Sequence, residues 1–131
     1  MEKKPALDAK IVEEFVSVAH GNFARVKEML EAEPALVNAT WDWGSGDFET
    51  ALGAASHMGN KKIANYLLEH SARLDVFAAA MLGRLEVVKA ALTAYPDALK
   101  TPGPHGISLI AHAEAGGDEA KSVLDYLNSL A

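Results

Sequence analysis

Apolar residues recur at helical spacing along most of the chain, and this periodicity predicts eight short amphipathic helices. In the first of them Ile11, Val12 and Phe15 lie on one face. Most of these segments are preceded by a polar residue able to cap a helix: Asp8, Asn22, Thr50, Asn60, Asp75, Ser108 and Asp118. The sixth segment lacks such a residue and stops before Pro96.

One segment breaks the helical pattern. Between Trp41 and Phe48 large aromatic residues are interspersed with acids and glycines, which predicts a β-hairpin. Gly44 and Gly46 supply the positive φ angles that its turn needs. We call residues 41–49 the finger.

A longer sequence motif also recurs along the chain in imperfect copies. Its fullest copy runs from Thr50 to Asn60 and is followed by Ile63, Leu67 and Leu68 at helical spacing. Weaker copies occupy residues 15–30, 76–92 and 109–127. A chain built from copies of one helix-pair unit forms a stacked solenoid, and its function lies on the face that the stack presents.

The fullest copy resembles the ankyrin repeat, and the resemblance extends from about Asp8 to the end of the chain. Eight of its residues match the family pattern: Thr50, Leu52, Ala55, Gly59, Ile63, Leu67, Leu68 and Ala72. Five others depart from it: Ala51, Gly53, Ser56, Asn60 and Ser71. The resemblance implies an all-α ankyrin-repeat solenoid of about four helix pairs.

This resemblance makes residues 1–131 one domain, with repeats at about 8–37, 38–72, 73–99 and 100–131. The glycines that mark the repeats, Gly21, Gly59, Gly83 and Gly116, are unevenly spaced. The first interval is longer than the family period, because it contains the finger. The second is shorter, so we expect a truncated connection between the second and third repeats.

Composition reduces the number of function classes to consider. The net charge is −6 and no basic cluster exceeds a dipeptide, which argues against nucleic-acid binding. The chain has no cysteine, which excludes disulfides and thiolate chemistry. It also lacks the apolar run of a signal peptide or a membrane span, so we expect a cytoplasmic protein without a membrane partner.

The ankyrin resemblance implies a protein-interaction module that binds a partner through its concave face and the Trp-rich finger. Carried over position by position, the binding residues are His20, Trp41, Asp42, Trp43, Asp47, Phe48, Glu49, His57, Met58, Met81, Leu82, His105 and Glu114. The acids among them suggest a partner that contributes basic residues. We expect a monomer, with a homodimer that buries Met58, Met81 and Leu82 as the alternative.

A second hypothesis is a small-molecule-binding protein or an enzyme that uses a histidine and a carboxylate for general acid–base chemistry of the isomerase, lyase or hydrolase type. Gly53 stands where the family has a bulky histidine, and its small size is expected to open a cavity beside His57. The candidate catalytic residues are His57 and either Asp42 or Glu49. An enzyme is nevertheless the less favoured hypothesis.

Each feature also has a purely structural interpretation. Asp42 and Asp47 can shape the hairpin turn by accepting bonds from backbone amides. Trp43 can cover the gap between the first two repeats, and His112 can be a core histidine. No two histidines have helical ligand spacing, and the HExxH pattern is absent, so we expect neither a metal nor a cofactor.

Overall fold

A computed structural model describes residues 3–131, and this part of the chain is mostly helical. Its eight α-helices are α1 (Ala9–Val18), α2 (Phe23–Ala32), α3 (Ala51–His57), α4 (Lys61–Glu69), α5 (Val76–Met81), α6 (Leu85–Ala94), α7 (Leu109–Ala115) and α8 (Lys121–Leu130). Strands β1 (Thr40–Asp42) and β2 (Phe48–Thr50) form one small antiparallel sheet. Within the described range, every helix is too short or too polar to cross a membrane.

The helix starts follow local capping chemistry. Six predicted caps are confirmed, since each side chain accepts a bond from a backbone N–H in the first turn: Asp8, Asn22, Thr50, Asn60, Asp75 and Ser108. The start predicted at Asp118 is wrong. Residues 117–120 form a 3-10 turn, and α8 begins only at Lys121 because Ala120 has a non-helical backbone, with φ −101° and ψ 8°.

The helices pack in consecutive pairs. Within the stack α1 packs on α2, α3 on α4, α5 on α6 and α7 on α8. The odd-numbered helices also contact one another in sequence, from α1 to α3, α5 and α7. Alanines such as Ala54, Ala55, Ala79 and Ala80 are fully buried along this row, and their small size allows the close approach.

The predicted hairpin is confirmed. Thr40 pairs with Thr50, Trp41 with Glu49 and Asp42 with Phe48. Because residues directly opposite one another share a face of the sheet, Trp41 and Glu49 lie on one side of the finger and Phe48 on the other. Trp41 packs against the helices, whereas Phe48 is 59 % exposed, so the first side faces the stack.

The predicted short connection between α4 and α5 is a tight turn without a hairpin. Ser71 adopts φ 74° and turns the chain out of α4, and Asp75 caps α5 four residues later. The side chain of Asn38 fastens this turn from the preceding loop, since it donates to Ser71 O and accepts from Arg73 N at 2.9 Å. The long interval from Gly21 to Gly59 therefore contains the finger, and the short interval from Gly59 to Gly83 contains this tight turn.

Candidate functional site

The site is centred on Glu49, whose carboxylate is fully buried between the finger and the helices. Burial of a lone carboxylate is costly unless other groups compensate its charge. One oxygen, Oε1, accepts a bond from the Trp43 indole Nε1–H at 3.0 Å. Trp43 and Glu49 therefore meet on the inner side of the finger, where the strand register places them.

Three histidines from separate segments surround this carboxylate through their Nε2 atoms. His20 follows α1 and lies 3.3 Å from Oε1. His57 ends α3 and lies 3.0 Å from Oε2, and His105 of the last loop lies 3.2 Å from the same oxygen. Each residue contributes one donor atom, and the four donor atoms lie within 4.8 Å of one another.

Two of the imidazoles are oriented by bonds from their other nitrogen. His20 Nδ1 lies 3.1 Å from Val16 O and 3.0 Å from Ser17 O, so it donates to the last carbonyls of α1. His105 Nδ1 donates to Asp47 Oδ2 at 2.7 Å, while Asp47 Oδ1 accepts the His105 backbone N–H at 2.7 Å. Because both rings carry a proton on Nδ1, each neutral ring presents a lone pair at Nε2.

These lone pairs face a carboxylate that also offers only lone pairs. Within residues 3–131, Glu49 Oε2 and His57 Nε2 lack a hydrogen-bond partner of acceptable geometry, although they lie 3.0 Å apart. Such buried polar atoms are rare in folded proteins. Either protons or a cation must lie among the Nε2 atoms and the Glu49 carboxylate.

The environment shifts the titration of two histidines in opposite directions. Burial lowers the pKa of His57, and the neighbouring histidines add to this effect against the charge of Glu49. Burial also opposes protonation of His105, but the bond to Asp47 and the Glu49 charge outweigh it and raise the pKa of that ring. The bond from the His105 backbone N–H lowers the pKa of Asp47.

Gly53 lies on α3 one turn before His57, directly beneath the cluster. A Cβ at this position would contact Glu49 Cγ and Pro104 Cγ, both at 3.5 Å. The space that the sequence suggested as a ligand cavity is therefore filled by the finger and the last loop. Because Gly53 has no side chain, the finger and the last loop can pack directly against α3.

Several candidate residues lie elsewhere. Asp42 is exposed at the hairpin turn, where its Oδ1 accepts from Gly44 N and Gly46 N, and Glu49 is the carboxylate that meets His57. Met81 is fully buried in the core, which corrects its assignment to a binding face. Leu82 packs against the same core, while Met58 and Glu114 are exposed.

His112 is a core histidine. It is fully buried beside Phe77, with ring centroids 4.8 Å apart, and its Nδ1 donates to Ser108 O at 2.7 Å. Burial lowers its pKa, so the ring is neutral near pH 7. Its Nε2 has no hydrogen-bond partner in the described part of the chain.

The sequence named each residue of the cluster and offered Glu49, or else Asp42, as the partner of His57, but it did not add His20 and His105 to that pair. His20, Glu49, His57 and His105 come from four segments, so no linear spacing marks them as a set. The role of Asp47 also differs from the turn-shaping one considered for it, since its carboxylate accepts two bonds from His105 of the last loop. The hairpin register could have pointed to Glu49. It pairs Glu49 with Trp41, so both side chains lie on the side of the finger that faces the helices.

Comparison of the chain with known protein families, with curated proteins and with solved structures finds no match.

Proposed function

We propose that this protein binds a divalent transition-metal ion through His20, Glu49, His57 and His105. The observation that carries the proposal is the convergence of three imidazole Nε2 atoms on one buried carboxylate. A cation among these atoms would resolve the opposed lone pairs and compensate the buried charge. The proposal replaces the expectation of no metal, which rested on linear spacing alone.

The spacing of the donors suits such an ion. Zinc bonds of about 2.0–2.1 Å to imidazole and carboxylate place neighbouring tetrahedral donors about 3.3 Å apart. Glu49 Oε2 lies 3.0 Å from His57 Nε2 and 3.2 Å from His105 Nε2. The donor set of three nitrogens and one oxygen favours zinc, cobalt, nickel or iron over magnesium or calcium.

The hydrogen bonds made by the Nδ1 atoms of His20 and His105 resemble those that orient histidine ligands in metal sites. Metal-bound histidines commonly donate their other N–H to a carboxylate or a backbone carbonyl, which fixes the ring and its tautomer. His105 does this with Asp47, and His20 does it with Val16 O and Ser17 O. The indole of Trp43 occupies Glu49 Oε1 and leaves Oε2 as the free ligand atom.

We further propose that the scaffold is an ankyrin-type solenoid. Its support is the stacking of four helix pairs and the left-handed glycines that follow two inner helices, Gly59 with φ 66° and Gly83 with φ 76°. In this architecture the metal would join the first repeat, the finger, the second repeat and the last loop. Metal binding would then stabilise contacts between segments far apart in sequence.

Recognition of a protein partner is a second proposal, and it concerns the outer side of the finger. Phe48 is exposed there, Met58 is exposed at the end of α3, and Trp43 on the inner side keeps part of its surface exposed. Exposed aromatic and methionine side chains are common anchors of protein interfaces. The acidic residues give less support for a partner that contributes basic residues. Asp42 already accepts a bond from the finger backbone, and Asp47 accepts one from His105.

Thermal unfolding with and without metal tests the metal-binding proposal. Zinc at about 100 times its dissociation constant is expected to stabilise the fold by about 2.7 kcal/mol. For a domain of this size that corresponds to a rise in Tm of about 10 °C. The measurement is a denaturation scan of metal-stripped protein with zinc, cobalt or magnesium added, and magnesium is expected to have little effect.

Two histidine variants make this experiment specific. His57→Ala removes one of the four ligands, so zinc should bind more weakly and the rise in Tm should be much smaller. His70→Ala should retain it, because His70 is exposed just after α4 and bonds to Tyr66 O, outside the cluster. An unchanged Tm of the parent protein with zinc and cobalt, or an equal rise in both variants, would contradict the proposal.

A further inference from the structure

The metal site has a closed side and an open side. The Glu49 side chain is fully buried, and that of His57 is 11 % exposed. The side chains of His20 and His105 are 28 % and 31 % exposed. Solvent therefore reaches the cluster at His20 and His105, whereas Glu49 Oε2 and His57 Nε2 are buried.

The protein supplies only four donor atoms. The Trp43 indole engages Glu49 Oε1, so Glu49 contributes Oε2 as its free ligand atom, together with one nitrogen from each histidine. Four protein ligands saturate a structural zinc ion, but transition metals with histidine and carboxylate ligands can add a fifth ligand where solvent has access. Access past His20 and His105 meets this condition.

Charge and shape define what such a position would take. Three neutral imidazoles and one carboxylate leave a divalent ion with a net positive charge, which favours an anionic oxygen donor. Trp43 forms a wall beside the opening and is 38 % exposed. Its ring centroid lies 6.3 Å from that of His20 and 6.2 Å from that of His105, so an apolar surface borders the open position.

We infer that the bound metal holds an exchangeable position between His20 and His105, and that this position binds a small carboxylate bearing an aromatic or apolar group. The inference rests on the proposed metal site. The carboxylate would coordinate the metal, and its apolar group would contact Trp43. The site would thereby select among carboxylates by the group they carry.

Visible absorption of the cobalt-loaded protein tests this inference, because cobalt bands respond to coordination number. Benzoate and acetate are titrated separately into protein that contains one equivalent of cobalt. Both are expected to change the cobalt bands saturably, with benzoate binding about 5-fold more tightly because its ring contacts Trp43. Trp43→Ala is expected to remove the preference for benzoate, and Phe48→Ala to retain it, since Phe48 lies on the other side of the finger.

The outcomes separate the two proposals. Cobalt that binds stoichiometrically but keeps an unchanged spectrum in both titrations would overturn the open position and leave the metal site standing. Equal affinity for benzoate and acetate in the parent protein, or an undiminished preference in Trp43→Ala that still binds cobalt, would overturn the role of Trp43. Failure of cobalt to bind would overturn the proposed metal site and this inference with it.

Discussion

Glu49→Gln is expected to lower the affinity for zinc more than about 100-fold. Loss of an outer-shell partner already costs 10- to 100-fold, and Glu49 contributes the only carboxylate among the four donors. Glutamine matches the shape of glutamate and can keep the bond from Trp43, so the change removes mainly the negative charge. Isothermal titration of metal-stripped protein with zinc measures the effect.

Glu69→Gln is the matched control, because it removes the same charge from an exposed position on α4. Its zinc affinity should equal that of the parent protein. Circular dichroism should show the same helical content in both variants before metal is added. Equal zinc affinity in Glu49→Gln and the parent would place the metal elsewhere on the chain.

Gly116→Ala is expected to destabilise the fold by about 3 kcal/mol, at the upper end of overpacking effects. Gly116 is buried between α5 and the turn before α8, and its φ of −74° suits any residue. An added Cβ would collide with the carbonyl oxygen of Met81 and lie 2.6 Å from Ala120 Cβ. Backbone on one side and a packed residue on the other leave little room for relaxation.

The corresponding loss in Tm is about 10 °C, and a thermal or urea unfolding curve measures it. Gly21→Ala is the control, because Gly21 is another of the glycines that mark the predicted repeats. Gly21 is exposed and has no atom within 4 Å of an added Cβ, so its stability should change by less than about 0.5 kcal/mol. Similar stabilities of the two variants would show that the close packing at Gly116 is not required.

The sequence predicted the helices well because their starts depend on local contacts. Asp8, Thr50 and Ser108 each accept a bond from an amide within three residues, and that geometry needs no information from distant parts of the chain. The start of α8 differed because the preceding 3-10 turn includes Gly117 with φ 63° and Ala120 with a non-helical backbone. A capping pattern alone does not determine that geometry.

The arrangement of the candidate site could not be predicted in the same way. Each member appeared among the candidate binding residues, but their convergence requires the finger to fold over α3 and the last loop to return to the finger. The bond between Asp47 and His105 spans 58 positions, and Pro104 and Glu49 fill the space beside Gly53. These contacts arise from the packing of segments that are distant in sequence, which the linear spacing of histidines does not reveal.

X-ray absorption at the zinc edge of protein loaded with one equivalent of zinc tests the central claim most directly. The account predicts a first shell of nitrogen and oxygen at about 2.0–2.2 Å, with outer-shell scattering from three imidazole rings. The imidazole contribution should weaken by one ring in His57→Ala and stay the same in His70→Ala. A shell of oxygen atoms without imidazole scattering would contradict metal binding by His20, Glu49, His57 and His105.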